Sequence, residues 1–246
     1  MENQGAKEAD WRCQAASTLA QPFTDQTGFV FPKGSEVVLQ TIVRRGSNQL
    51  LALLLPNATA MLLDTARESF VRSEELLNDV EKQDTKGGVT SLRHDSDAFD
   101  LIGYRAASVV FAFCALEAFA NEMLPGGYTH RIERTDGRCA ETYSAAQIER
   151  WLQLDTKLGD ILPAVLSRPS PRGGHVWQAY AQLRDARDRV IHMKTDDRRS
   201  AGPDEDTIWS TLIRIAPPHD TAKAMIDHFL EGQVSLPRWA SRYPIS

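Results

Sequence analysis

Apolar residues along this chain change period near Pro56. Before it, Val37, Val38, Leu39, Thr41, Ile42 and Val43 form a β-branched run. Gly46-Ser47-Asn48 then supplies turn chemistry before a second apolar run to Leu55, which together predict a β-hairpin. Leu50 to Leu55 also fits a helical turn, so that half of the hairpin stays open. Residues 1 to about 25 show no period and are expected to form a loose arm.

After Pro56 the spacing is helical. Asn57 or Thr59 can cap a long helix with Leu62, Leu63, Ala66, Phe70, Leu77 and Val80 on one stripe. The tract "DTKGGVTSLRHDSD" (84–97) is expected as a polar loop. A second helix spans about Ala98 to Leu124, is apolar nearly all round, and stops at Pro125-Gly126-Gly127. Ser144 and Gln147 form a capping box that opens a third helix carrying Ile148, Trp151, Leu152 and Leu158. A fourth runs from about Val176 to Lys194, and short helices follow near Ile208 to Ile213 and after Pro217-Pro218. The expected fold is all-α, an up-and-down helical bundle over 57–246, preceded by an extension over 1–56 that contains the hairpin.

Composition narrows the function. A net charge of −5 argues against broad nucleic-acid binding, which needs a basic face, but leaves room for a local basic patch. The start is polar and acidic, unlike a signal peptide. The apolar run 106–120 is shorter than a bilayer span and contains Glu117, so no membrane is expected. Cys13, Cys114 and Cys139 are odd in number and widely spaced, which fits a reducing cytoplasm. Phosphate-binding loops and C-x-x-C pairs are absent, and "HDSD" (94–97) and "DED" (204–206) read as solvated turns. No metal and no cofactor are expected.

Candidate chemistry lies on the fourth helix, in "RDARDRVIHMK" (184–194). Val176, Tyr180, Leu183, Arg187, Val190 and Lys194 recur at helical spacing, which places Arg187 inside an apolar seam. Asp188 and His192 stand four apart, close enough for the carboxylate to orient the imidazole. An Arg followed by His after four intervening residues matches the R-x4-6-H pattern. Arg168 to His175 and Arg214 to His219 match it too, but across "PSPRGG" and "IAPP"; only "RDRVIH" lies on an unbroken helical pattern.

With "SVVFAFCALEAFANEML" and "IERWLQLDTKLGDILPAVL" preceding it, this motif helix resembles the HEPN superfamily over roughly 57–230. That resemblance implies a helical bundle and, in many members, a metal-independent RNase of toxin–antitoxin or phage-defence systems that works as a homodimer. It implies Arg187 as charge stabiliser, His192 as acid/base and Asp188 as imidazole orienter, with Arg184, Arg189 and Lys194 drawing in the RNA backbone. An antitoxin or other partner protein would accompany it. The chain departs from the pattern at Asp188, where the family often has Asn, and the extra negative charge repels phosphate. A competing structural reading pairs Arg187 with Glu117, the one charge in the apolar stretch, within a non-catalytic module. His192 then serves only near the helix C-terminus. Trp151, Trp177, Tyr180 and Trp209 are expected in the core.

Overall fold

The computed structural model describes residues 10–25, 28–133, 140–199 and 202–244. The chain divides into two compact units, one of residues 1–61 with 234–246 and one of residues 62–233.

The first unit is a set of short antiparallel pairs: β1 (Ala15–Thr18), β2 (Phe23–Thr24), β3 (Val30–Phe31), β4 (Glu36–Val38), β5 (Gln40–Arg45) and β6 (Gln49–Leu54). β1 pairs with β4, β2 with β3 and β5 with β6. Leu50 to Leu54 is therefore strand, in register from Arg45 opposite Gln49 to Gln40 opposite Leu54. Residues 10–25 are not a loose arm, because β1 finds partners 18 or more positions away in β4 and β2 finds them nearer by in β3; residues 1–9 lie outside the described ones. The C-terminal stretch, read from sequence with the bundle, belongs to this unit. Glu36 receives Arg238 at 2.6 Å and Arg242 at 3.2 Å, Arg238 also donates to the Asp10 carbonyl, and Trp11 meets Tyr243 edge-on. The Arg238 guanidinium holds the Glu36 carboxyl below its ordinary range.

The second unit is helical at its centre. α1 (Ala58–Asn78) starts from Asn57, whose Oδ1 accepts the Ala60 N–H at 2.9 Å. β7 (Gln83–Lys86) and β8 (Val89–Leu92) lead into α2 (Asp95–Glu122), followed by β9 (Thr129–Glu133) and β10 (Ala140–Ser144). Then come α3 (Ala145–Trp151), α4 (Leu154–Thr156), a π-helical turn over Lys157–Ile161 and α5 (Leu162–Leu166). α6 (His175–Ile191), α7 (Ile208–Arg214) and α8 (Pro218–Leu230) complete it. α2 is the centre: α4, α6, α7 and α8 all pack on it, burying Val109, Ala112, Leu116 and Phe119.

The all-α expectation is corrected. The chain is about 52% helical, and antiparallel hairpins interrupt the helices, making the fold mixed. The tract 84–97 shows why. Gly87 and Gly88 take φ of 61° and 77°, which suits the tight turn between right-twisted strands, and the Thr85 and Thr90 hydroxyls meet across the pair at 3.0 Å. Polar residues serve as well as apolar ones in such a ribbon, since it has no buried face to fill. The "HDSD" segment begins α2, with His94 at the cap and Asp95 and Asp97 in the first turn, where the helix dipole favours acids.

α2 also exceeds its expected length. At 28 residues it is the one helix among the described residues that is long and apolar enough to cross a membrane. In this fold it buries Arg105 and Ser108 along with its apolar face, so it packs as a core helix.

Candidate functional site

α6 presents the predicted residues, but one step of helix rotation away from the expected arrangement. Tyr180, Leu183 and Ala186 are its buried positions, and Arg187 stands on the flank of the seam. No core position is given to a charge here. The small Ala186 occupies it, and Arg187 lies 100° round the helix. Its guanidinium lies 4.5 Å over the Phe113 ring of α2 and donates to Asp188 Oδ1 at 2.7 Å. The side chain remains 31% exposed.

Glu117 does not meet Arg187. Lys157, with no exposed surface, opens the π-helical turn and donates to Glu117 Oε1 at 3.1 Å, Asn121 Oδ1 at 2.9 Å and the Glu149 carbonyl at 3.0 Å. All three ammonium hydrogens are used. Glu117 itself is 41% exposed, so it is no stranded core carboxylate. Lys157 is the functional-looking charge that sequence reasoning missed. Its signal was present: it follows Leu154 by three and precedes Ile161 by four, a lysine on the apolar stripe.

His192 caps the C-terminus of α6, where its N–H donates to the Asp188 carbonyl at 2.8 Å. The imidazole is exposed, and among the described residues nothing hydrogen-bonds its ring. The expected orientation of His192 by the Asp188 carboxylate is therefore absent, because that carboxylate engages the adjacent Arg187. A guanidinium one residue away, with its fork of donors, claims the carboxylate ahead of an imidazole one turn away.

The expected RNA-drawing cations are mostly occupied. Arg184 pairs with Asp155 and, at 2.9 Å, with Asp185. Arg189 reaches buried Asp197 through two nitrogens and Asp206 through a third. Asp197 also accepts the Ile208 and Lys194 N–H groups, and the Arg189 hydrogen bonds above all hold its carboxyl at a pKa of about 2. Arg189 thus ties α6 to the start of α7. Only the Lys194 side chain, exposed beyond the helix end, is without a carboxylate partner among the described residues.

Two grooves flank α6. One, of about 570 Å³, is lined by His192, Lys194, Arg189, Asp185, Asp188 and Asp206 among others. The other, of about 450 Å³, is lined by Arg187, Arg184, Phe113, Glu117, Asp155 and Asp188. Asp188 lies between them, and Arg187 and His192 open into different grooves. Neither groove is lined by both Arg187 and His192.

Trp151 is 58% exposed, contrary to the core expectation, because α3 ends there and Leu152 turns out of the helix. Trp177 carries the Arg172 guanidinium at 4.8 Å over its ring. Cys13 and Cys114 are free thiols, raised in pKa by burial, and Cys139 lies outside the described residues. No group of three or more metal-ligating side chains gathers among the described residues. Comparisons with protein-family models, with curated proteins and with solved structures return no match.

Proposed function

We propose that this chain is a metal-independent endoribonuclease of HEPN type, acting in the cytoplasm as a homodimer and controlled by an antitoxin or other partner protein. The observation that carries the reading is the Lys157–Glu117 pair. It satisfies the carboxylate that would otherwise have claimed Arg187, and leaves that guanidinium at a groove edge where a phosphate can reach it. The exposed His192 ring supports the same reading, since a general base must be open to its substrate.

His192 would take the proton from a ribose 2′-hydroxyl, and that oxygen would attack the adjacent phosphorus as the bond to the 5′ oxygen breaks. Arg187 would stabilise the charge gathering on the phosphate, a task for a planar cation that is never deprotonated. The 5′ oxygen leaves with a proton from a second acid. Because Arg187 and His192 open into different grooves, a two-fold pairing of motif helices is required to bring one copy's Arg187 to the other's His192 and to supply that acid.

A second reading is favoured by a specific contact: Asp188 neutralises Arg187 within the motif itself. A non-catalytic module of the same kind, binding a partner protein or RNA, would carry such a pair. Cleavage of a fluorescent RNA in excess EDTA separates the two. The enzyme reading expects cleavage that disappears in both His192→Ala and Arg187→Ala. Wild-type protein that retains RNA but leaves it intact points to the binding module.

A further inference from the structure

The β5–β6 ribbon is apolar on both faces and covered on neither. Its register places Ile42, Leu50 and Leu54 on one face and Val43, Leu51 and Leu53 on the other. Exposure of these six runs from 39% at Val43 to 69% at Ile42. A lone two-stranded ribbon is marginal in water, so a ribbon of this composition needs a cover. Its outer edges are charged only at the tip. Among the described residues neither strand has a further neighbour, and Arg44 and Arg45 at the turn end of β5 are the only charges in the two strands.

We propose that the ribbon is an exchanged arm, gripped on both faces by a second copy of this chain. Area is the first argument. The six side chains leave on the order of 500 Å² of apolar surface, while each side of a standard interface contributes ~800 Å², a little over half of it apolar. Both faces together meet that requirement and either alone falls to about half of it. A flat patch on one face would therefore be too small. The second argument is supply. Another copy brings an identical ribbon for one face, and the exposed Phe23 and Phe29, which meet the Phe31 ring on one side of its β2–β3 pair, for the other. Identical edges favour two-fold pairing, in which residue i of one copy meets residue j of the other and j meets i. A lipid surface fits less well, because Arg44, Arg45 and Gln49 stand at the tip, where insertion would begin. The pairing of motif helices in the ribonuclease reading uses a different surface, so a chain that makes both contacts assembles beyond the dimer.

Sedimentation velocity from about 1 to about 100 µM tests it, on wild type, Leu50→Lys and Leu51→Lys, one substitution on each face. The expected result is a wild-type self-association, a dimer or with the α6 pairing a larger species, whose ribbon contact weakens at least ~30-fold in each variant, as burying a lysine in place of a leucine demands. His192→Ala should dimerise like wild type, which separates this surface from the α6 motif. Hydrogen exchange on unmodified protein gives a second measurement, with β5 and β6 amides more protected at the higher concentration. A wild type that is monomeric throughout, a dimer indifferent to either face, or a monomer that floats with neutral phosphatidylcholine vesicles would each overturn the proposal.

Discussion

Lys157→Ala removes an ammonium group with no exposed surface and three acceptors. The Glu149 carbonyl and Asn121 Oδ1 lose their donor, at about 1–3 kcal/mol for a buried acceptor that finds no substitute. Glu117 adds little, since at 41% exposure water replaces the lost partner. The vanished aliphatic stem leaves a cavity of the kind that makes long-to-Ala changes cost about 2–5 kcal/mol. Together with Asn121 turning to a new partner, the expected loss is about 3–5 kcal/mol, most of it from the cavity. Arg187→Ala is the counterpart. Its pair with Asp188 is part-exposed and contributes about 0–1 kcal/mol, and its stacking on Phe113 about 0.5–1 kcal/mol. At about 2–4 °C per kcal/mol for a chain of this size, Lys157→Ala should lower Tm by about 10 °C and Arg187→Ala by about 3 °C. Thermal melts followed by far-UV circular dichroism read both, because the signal is dominated by the helical unit. Lys157→Met, which keeps the stem, should fall between them. If Arg187→Ala is instead the more damaging change, Arg187 is the structural anchor and is not available to phosphate.

The motif makes further predictions. His192→Ala should leave the melting curve within about 0.5 kcal/mol of wild type, since its ring is exposed and unbonded, while EDTA-resistant RNA cleavage disappears. Asp188→Asn should release Arg187 and remove a charge that repels phosphate, so RNA retention and cleavage should both rise; a fall in the same fluorescent-RNA assay would mean that Asp188 has a positive role. Asp197 has a folded pKa depressed from 3.8 to about 2, so its contribution is present above about pH 4 and is lost as pH falls toward about 2. The Tm gap between wild type and Asp197→Asn should therefore be wide at pH 7 and close through that acid window. A gap that is unchanged by pH would remove the Asp197–Arg189 bond as its source.

What the chain reveals about itself without folding is what neighbouring residues decide among themselves. The Ser144 and Gln147 capping box, the Asn57 cap and the stop after α2 at Pro125 involve residues within a turn or two, and each stands in the structure at its expected place. The end of α6 is different: the spacing carried the helix to about Lys194, and it stops at Ile191, which leaves His192 as the cap instead of a residue of the helix. Pairings between distant residues were decided only by the tertiary structure. Glu117 was expected to pair with Arg187, 70 positions away; packing of α4 and the π-helical turn on α2 brought it Lys157, 40 positions away, instead. Ala186 and Arg187 are adjacent on one periodic stripe, and a 100° difference in which of them faces α2 cannot be read from periodicity, because both satisfy it. The hairpin over 40–54 was legible in its β-branched run and turn residues, but those within the helical unit escaped for another reason. A polar ribbon such as β7–β8 has no buried face, so it leaves no apolar alternation to detect, only its two glycines. The split of Arg187 and His192 between two grooves is likewise a property of what packs beside α6: α2 and α4 build one wall and α7 the other, and the helix alone does not contain either.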